Sequence, residues 1–424
     1  MGSTMFLLFI AGVIAIAFED KIRVNKAAVA VGLSIILWTM LIETENVDQS
    51  VINSLGNVST TLFFVLASMA IIEIVDSHGA FNVILSLIKT RNKRKLLWIF
   101  SILTFTFSAV LGNLATVIIM VTLIRRMVIY KEDRLIFSSM IIIAANAGGS
   151  WSPIGDVTTL ILWTGGNITV WSQIYHVILS ALTMMIVPLS FVTFMFGKED
   201  SVQYFEEDED DYILSHITPF FKKAILIVGL VSLAMVPLLQ VAFNIPPFMG
   251  VLFGLTVLWI MTDRLYYYRR SKGLQELRVS RVFSRIDIST VLFFLGILMS
   301  VEALKISGEL TVMSNYLNNI IPKPEIISAV LGLCSSFLDN VALVAGTIGM
   351  YPLAASGPFM VDGTFWTFLA YCAVTGGSIM IVGSASGVTV MGMEKIPFSY
   401  YFKKFTPLAL LGYVAGAAVY MILF

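Results

Sequence analysis

The stretch NAGGSWSPIGDVTT, residues 146–159, interrupts an otherwise apolar run with paired glycines, a proline and an aspartate. The chain around it is 58% apolar and only 13% charged, with a mean hydropathy of +0.89, the profile of an integral membrane protein. It divides into uncharged windows long enough to cross a hydrocarbon layer of roughly 30 Å as helices. The every-second-residue alternation of a barrel is missing. A helix breaker and a carboxylate at that depth are costly, so the interruption calls for a reason.

Full spans are expected near residues 4–18, 27–42, 59–77, 135–165, 170–196, 222–241, 246–262, 287–306, 365–393 and 405–424. The first lacks a basic leader and a clear cleavage site, so it reads as a span and not a removable signal. Leu96 to Ile124 carries no charge, and as one straight helix it would reach about 43 Å, more than the bilayer. Its flanks are both basic, Arg91, Lys93, Arg94 and Lys95 before it and Arg125 and Arg126 after it, which places both ends on the cytoplasmic side. A re-entrant hairpin with its tip at Gly112-Asn113 satisfies length and charge together.

The same signals recur in the second half. STTLFF (59–64) returns as STVLFF (289–294), Glu73 before Gly79 as Glu302 before Gly308, and SAVLGN (108–113) as SSFLDN (335–340). Gly148-Gly149 answers Gly376-Gly377, and PIGD (153–156) answers IVGS (381–384), all at nearly one offset. An odd number of crossings per half makes the repeat inverted. The expected fold is therefore an all-α polytopic membrane protein with an inverted-topology repeat, about ten transmembrane helices, two re-entrant hairpins and two helices broken at the midplane. Residues 1–196 form the first repeat, with a hairpin near 96–124 and a broken helix at 135–165. Residues 197–221 form an acidic cytoplasmic linker carrying EEDEDD (206–211), and 222–424 the second repeat, with a hairpin near 326–350 and a broken helix at 365–393. Basic loops at 19–26 and 263–287 belong inside, and the acidic segment 43–58 outside.

Breaks at corresponding positions of inverted repeats point to a midplane site, where an unwound turn frees carbonyls that can replace the water around a cation. Ser150, Ser152, Thr158, Thr159, Ser378, Ser384 and Ser386 add hard oxygens, and Asn113 and Asn340 stand at the hairpin tips. Asp156 in the first break and Asp339 at the second tip are functional by default at such depth. A carboxylate in low dielectric holds its proton more tightly, which lets proton and metal ion compete near neutral pH. Each aspartate can also cap the helix that follows it, and the two roles are compatible. Weaker candidates for proton relay or pH sensing are Glu73, Asp76, His78 and Glu302; His78 reads equally well as a solvated interfacial histidine. His176 and His216 read as structural.

Net charge is zero, from 27 basic and 27 acidic residues, which offers nothing to a nucleic acid. Cys334 and Cys372 sit in apolar segments and make no disulfide framework. No enzyme chemistry and no cofactor are expected beyond the transported Na+ or Li+ and H+. The expected partners are membrane lipids, those cations and, in a homodimer, a second copy; the expected location is a bacterial inner membrane. An anion carrier for a dicarboxylate, or an arsenite carrier, on the same scaffold is the alternative. The tips GNLAT and LDNVAL and the lack of an arginine near either break speak against it.

At these residues the sequence resembles the NhaD-type sodium/proton antiporters, within an ion transporter superfamily that also holds arsenite and dicarboxylate carriers. The likeness covers nearly the whole chain and is carried by NAGGSWSPIGDVTT, SSFLDNVALVAG (335–346), GGSIMIVGSASGVTVMGMEKI (376–396) and EIVDSHGAFNVI (73–84). It implies exchange of cytoplasmic sodium or lithium for external protons, with Asp156, Thr158, Thr159, Asp339, Asn340, Ser384 and Ser386 at matching positions. The first hairpin departs from the family pattern: Gly112 stands where an aspartate is usual, and Ala115 where a hydroxyl is usual. Ala342 replaces a proline, a milder change. The number of ions and protons per cycle therefore does not carry over.

Overall fold

The computed structural model describes residues 2–17, 22–42, 47–88, 90–197, 200–201, 217–268, 279–321 and 323–424. Apart from one isolated bridge, every regular element among them is a helix. The first half holds α1 (Gly2–Ala17), α2 (Lys26–Met40), α3 (Val47–Ser77), α4 (Asn82–Leu87), α5 (Lys93–Leu111), α6 (Asn113–Met127), α7 (Lys131–Ser150), α8 (Val157–Thr164) and α9 (Val170–Thr193). The second holds α10 (Pro219–Phe243), α11 (Pro247–Tyr268), α12 (Ile288–Ile306), α13 (Glu309–Ile320), α14 (Pro324–Cys334), α15 (Asn340–Met350), α16 (Thr364–Gly376), α17 (Ala385–Glu394), α18 (Phe398–Lys404) and α19 (Thr406–Leu423). Six of them, α3, α5, α9, α10, α12 and α19, are long and apolar enough to cross a membrane by themselves.

One boundary and three short helices differ from the hydropathy reading. Residues 47–58, expected as an external loop before a span at 59, are the first turns of α3. They contain no proline, Asp48 sits favourably in the first turn, and Ser54 and Val58 are buried, so the helix runs on past its apolar window. The short helices α4, α13 and α18 were not expected, because amphipathic pieces of this length carry little hydropathy signal. The EEDEDD run and His216 lie outside the described residues.

Gly112 ends α5 and begins α6 at φ +82, a left-handed conformation that a side chain would strain. The two helices then run in opposite directions beside α7. Lys93 of α5 pairs with Asp133 at 2.8 Å at one end, and Ser108 Oγ donates to the Ala145 carbonyl at 2.5 Å at the other. On the return, Asn113 donates to Asn146 at 3.0 Å, and Arg134 donates to the Val128 and Ile129 carbonyls at 3.2 and 2.7 Å where α6 ends. Both open ends of the hairpin therefore lie level with the start of α7.

The pair α14–α15 repeats this beside α16. Ser328 Oγ donates to Phe365 O at 3.3 Å, Ser335 Oγ donates to Ala373 O at 2.7 Å, and Tyr351 at the end of α15 returns to Phe365, ring centroids 5.1 Å apart. In each case a glycine of the broken helix meets hairpin backbone: a side chain on Gly148 would strike the Phe105 carbonyl, and one on Gly376 the Gly332 carbonyl.

The helices pack as two groups. Helices α1, α2, α3, α10, α11 and α12 pack on one another, as do α5, α6, α7, α9, α14, α16, α17 and α19. The groups meet through α15, which lies against α12 and α13 as well as α16, where α10 touches α5, and where α3 touches α6 and α8. At one end, buried Glu394 closes α17 by pairing with Arg134 at 3.2 Å and with Arg125 at 2.5 Å, which ties the second half to the first.

Gly148→Ala and Gly376→Ala should each cost about 1–3 kcal/mol, because backbone must move to admit the methyl group. Gly32→Ala, with nothing within 4 Å of the added carbon, should cost nothing measurable. Thermal unfolding in detergent checks the contrast, and equal midpoints for all three would contradict it.

Candidate functional site

The first break lies between Ser150 and Val157, where the chain leaves the helix and Asp156 becomes extended at φ −149. Asp156 then starts α8 with a capping box. Its Oδ1 accepts from Thr158 N at 2.7 Å, its own N–H donates to Thr159 Oγ1 at 3.3 Å, and Thr159 Oγ1 donates to the Asp156 carbonyl at 2.9 Å. The carboxylate is 5% exposed and still has lone pairs turned away from the helix. Asn113 Nδ2, from the first hairpin tip, donates to Oδ2. Asn340 Nδ2, from the second tip, lies 3.3 and 3.4 Å from the two oxygens. One acid is thus shared by both hairpins.

Ser384 occupies the equivalent place in the second break, extended at φ −138, and its Oγ accepts from Gly387 N at 3.2 Å to cap α17. Asn146, fully buried in the last turns of α7, joins the two breaks. Its Oδ1 accepts from Asn113 at 3.0 Å and from Ser386 Oγ at 3.0 Å, and its Nδ2 donates to Ser384 Oγ at 3.2 Å. Sequence reasoning passed over Asn146 although it opens the quoted stretch. An amide inside the apolar run IIIAANA was the signal.

The structure brings together Asp156, Asn113, Asn340, Ser384 and Ser386 from the expected set. Thr158 lies beside them with a buried hydroxyl turned toward Asp156. It does not bring the other hydroxyls to the carboxylate. Ser150 Oγ donates to Ala147 O at 2.8 Å, Ser378 Oγ donates to Thr375 O at 2.6 Å, and Ser152 Oγ accepts from Ile154 N at 3.4 Å. A short hydroxyl near a helix end finds its own backbone first, and Thr159 likewise belongs to the cap. Asp339 is half-buried and caps α15, accepting from Val341 N at 2.9 Å and Ala342 N at 3.4 Å.

A cavity of about 200 Å³ connects these groups to the surface. Asp156, Asp339, Asn113 and Asn340 line its inner end, Glu73 and the exposed Asp76 line its mouth, and Phe64, Met69, Ile72, Leu160, Phe293 and Phe294 wall the passage. Glu73 accepts from Ser77 Oγ at 3.0 Å. Glu302, its counterpart by sequence, does not line this cavity and sits 3.5 Å from Lys305. His78 is fully buried and not solvated; its Nδ1 donates to Ile74 O at 2.5 Å, and burial pushes it down to about 4, so the ring stays neutral. His176 Nδ1 donates to Ser172 O at 2.8 Å on its own helix. Among the described residues no three His, Cys, Asp or Glu come together. The donors at the inner end are a carboxylate with amides and hydroxyls, which suits a small hard cation.

Residues 6–369 match the family described as Citrate transporter. The chain is 40% identical to Sodium/proton antiporter 1 of Arabidopsis thaliana over 98% of its own length and 72% of that protein's. It is 38% identical to Sodium/proton antiporter 2 of the same plant over 98% of both, and 28% identical to the Na(+)/H(+) antiporter NhaD of Halomonas elongata over 100% of this chain and 88% of that one. Among solved structures, the YdaH transporter of Alcanivorax borkumensis, described as having an unusual topology, shares the fold with a TM-score of 0.52 at 10% identity, covering 93% of this chain and 96% of that one. Together with the apolar helices, these likenesses make the chain an integral membrane transporter.

Two outcomes follow from the site. Asn146→Ala leaves Asn113 and Ser386 without their shared acceptor and should cost about 1–3 kcal/mol, read as a lower unfolding midpoint. His78, with an ordinary value of 6.5 when unfolded, contributes its full stability above pH 6.5 and loses it as pH falls toward 4, because only the unfolded chain takes up the proton there. His78→Gln should therefore flatten the loss of stability between those limits, and an unchanged slope would contradict the neutral ring.

Proposed function

We propose that this chain, which belongs to the family described as Citrate transporter and is similar to the sodium/proton antiporters matched above, exchanges Na+ or Li+ for H+. The observation that carries the reading is the placement of Asp156: a buried carboxylate at an unwound turn, reached by the asparagine at each hairpin tip. A cation entering from the cavity replaces those amide donors as the partner of the carboxylate, and a proton on Asp156 excludes the cation. Asp339, at the same end of the cavity, is the second group able to carry charge through the cycle.

The halves act as inverted repeats. Ser108 to Ala145 and Ser335 to Ala373 are one bond made twice, Gly148 and Gly376 one close approach made twice, and Asp156 and Ser384 one cap made twice. The hairpins and broken helices move as a unit against α2, α3, α11 and α12, giving alternating access. In the present conformation the site is open to the end that carries Lys26, Arg126 and Arg285, the cytoplasmic side by the charge rule. The family's description as a citrate transporter raises an anion as second reading. The cavity opposes it, since four carboxylates face a single lysine there.

Asp156→Asn can still accept from Thr158 N, so it should fold normally yet reduce sodium-driven proton flux in proteoliposomes to the level of empty vesicles. Asp339→Asn should do the same. Flux at the wild-type rate in either variant removes that residue from the mechanism, and flux that answers citrate but not Na+ or Li+ transfers the chain to the anion carriers.

A further inference from the structure

Among the described residues, Lys26 is the one cationic group lining the cavity, and the antiport reading leaves it without a task. It is the first residue of α2, half-buried, and its place is built. Asn25 caps the helix by accepting from Ala27 N at 2.8 Å, and the same Asn25 oxygen accepts from Ser289 Oγ at 2.9 Å, which fastens the start of α2 to α12. The Lys26 ammonium stands 5.0 Å from the centre of the Phe293 ring, itself part of the cavity wall. Lys26 also borders a second, more polar cavity of about 250 Å³, shared with Asp287, Thr290 and Thr389. Asp287 is exposed there, and both its oxygens accept from Thr290, N–H and hydroxyl, as the cap of α12.

The position matters because Lys26 and Asp339 stand on different helices. Lys26 begins α2, which packs on α12, while Asp339 caps α15, the hairpin helix that lies against α12 and α13 on one side and α8 and α16 on the other. The charged groups facing Asp339 are Lys26 from α2 and Asp156 from the first break, with Glu73 and Asp76 of α3 farther along the wall. Opposite charges across a low-dielectric cavity attract far more strongly than in water, and the attraction ends when one of them is neutralised.

Resting on the antiport reading, we propose that Lys26 is a coupling residue: its attraction for the Asp339 carboxylate holds the empty carrier in the cytoplasm-facing position. A sodium ion seated between Asp156 and Asp339, or a proton on the carboxylate, cancels the charge that Lys26 grips, and the moving unit is released. The empty, doubly anionic site stays behind, so sodium cannot leave without a proton returning. Lys26 touches no transported ion in this scheme; it acts through Asp339. With Gly112 at the tip of the first hairpin, Asp339 is the tip carboxylate on which such a hold can act.

The test uses the full chain in proteoliposomes loaded with radioactive sodium and a pH dye, with the membrane potential clamped. Wild type should release sodium in fixed ratio to proton uptake; absence of any such coupled flux would bring down the antiport reading itself. Lys26→Gln should keep sodium-for-sodium exchange within about threefold of wild type but release sodium into sodium-free buffer without matching proton uptake, lowering the ratio of H+ to Na+ at least twofold. Lys26→Arg should restore the ratio. An unchanged ratio in Lys26→Gln overturns the proposal, and so does loss of sodium-for-sodium exchange in a folded Lys26→Gln, since a removed latch cannot stop an occupied carrier. Should Lys26→Gln elute as aggregate, Lys26→Met is measured against the same two outcomes.

Discussion

Backbone that leaves the helix inside a hydrocarbon layer must find hydrogen-bond partners in protein, and the architecture around residues 150–157 is arranged to supply them. The Ser150 carbonyl accepts from Gln173 at 2.6 Å, the Gly155 carbonyl accepts from Asn113 N–H at 3.1 Å, and Asp156 and Thr159 satisfy the first amides of α8 among themselves. The hairpin is thus part of what makes the break tenable. Without its tip against Gly155, the unwound turn would carry an unpaired carbonyl worth a few kcal/mol.

That dependence explains the close packing of hairpin on broken helix. For Asn113 to reach the break, α5 must approach α7 at backbone distance, and Gly148 permits it; Gly376 does the same for α14 and α16. The first hairpin packs closely on α7, and α14 packs as closely on α16, while α15 lies against α12 and α13 as well as α16. The alternating access proposed above asks for such a stiff unit, with a seam along which it can move. The Glu394 pairs with Arg125 and Arg134 reinforce the stiff unit by binding α17 to α6 and α7.

Capping and the proposed ion binding would draw on the same arrangement. A carboxylate that accepts from the first amides of a helix is oriented and already shares its charge with the positive helix end, yet it retains lone pairs for another partner. Asp156 presents those lone pairs to two asparagines and Asp339 presents its own to the cavity. Their charges repel across the same space, which is what the proposed cation or proton would relieve.

Most of this was legible in the chain itself. Charge-free length, basic flanks, glycine pairs and duplicated motifs located both hairpins and both breaks, because membrane thickness and the cost of unpaired backbone act directly on local sequence. They also singled out Asp156, Asp339, Asn113 and Asn340, since a polar group in apolar sequence is conspicuous. Tertiary structure alone decided which polar groups meet: Asn146 bridges the breaks while Ser150 and Ser378 turn back to their own helices, and Glu73 lines the cavity while Glu302 does not. It also placed Lys26 opposite Asp339. Hydropathy and spacing report how deep a residue lies along its own helix, but which side chains face one another depends on the rotation and packing of helices far apart in the chain.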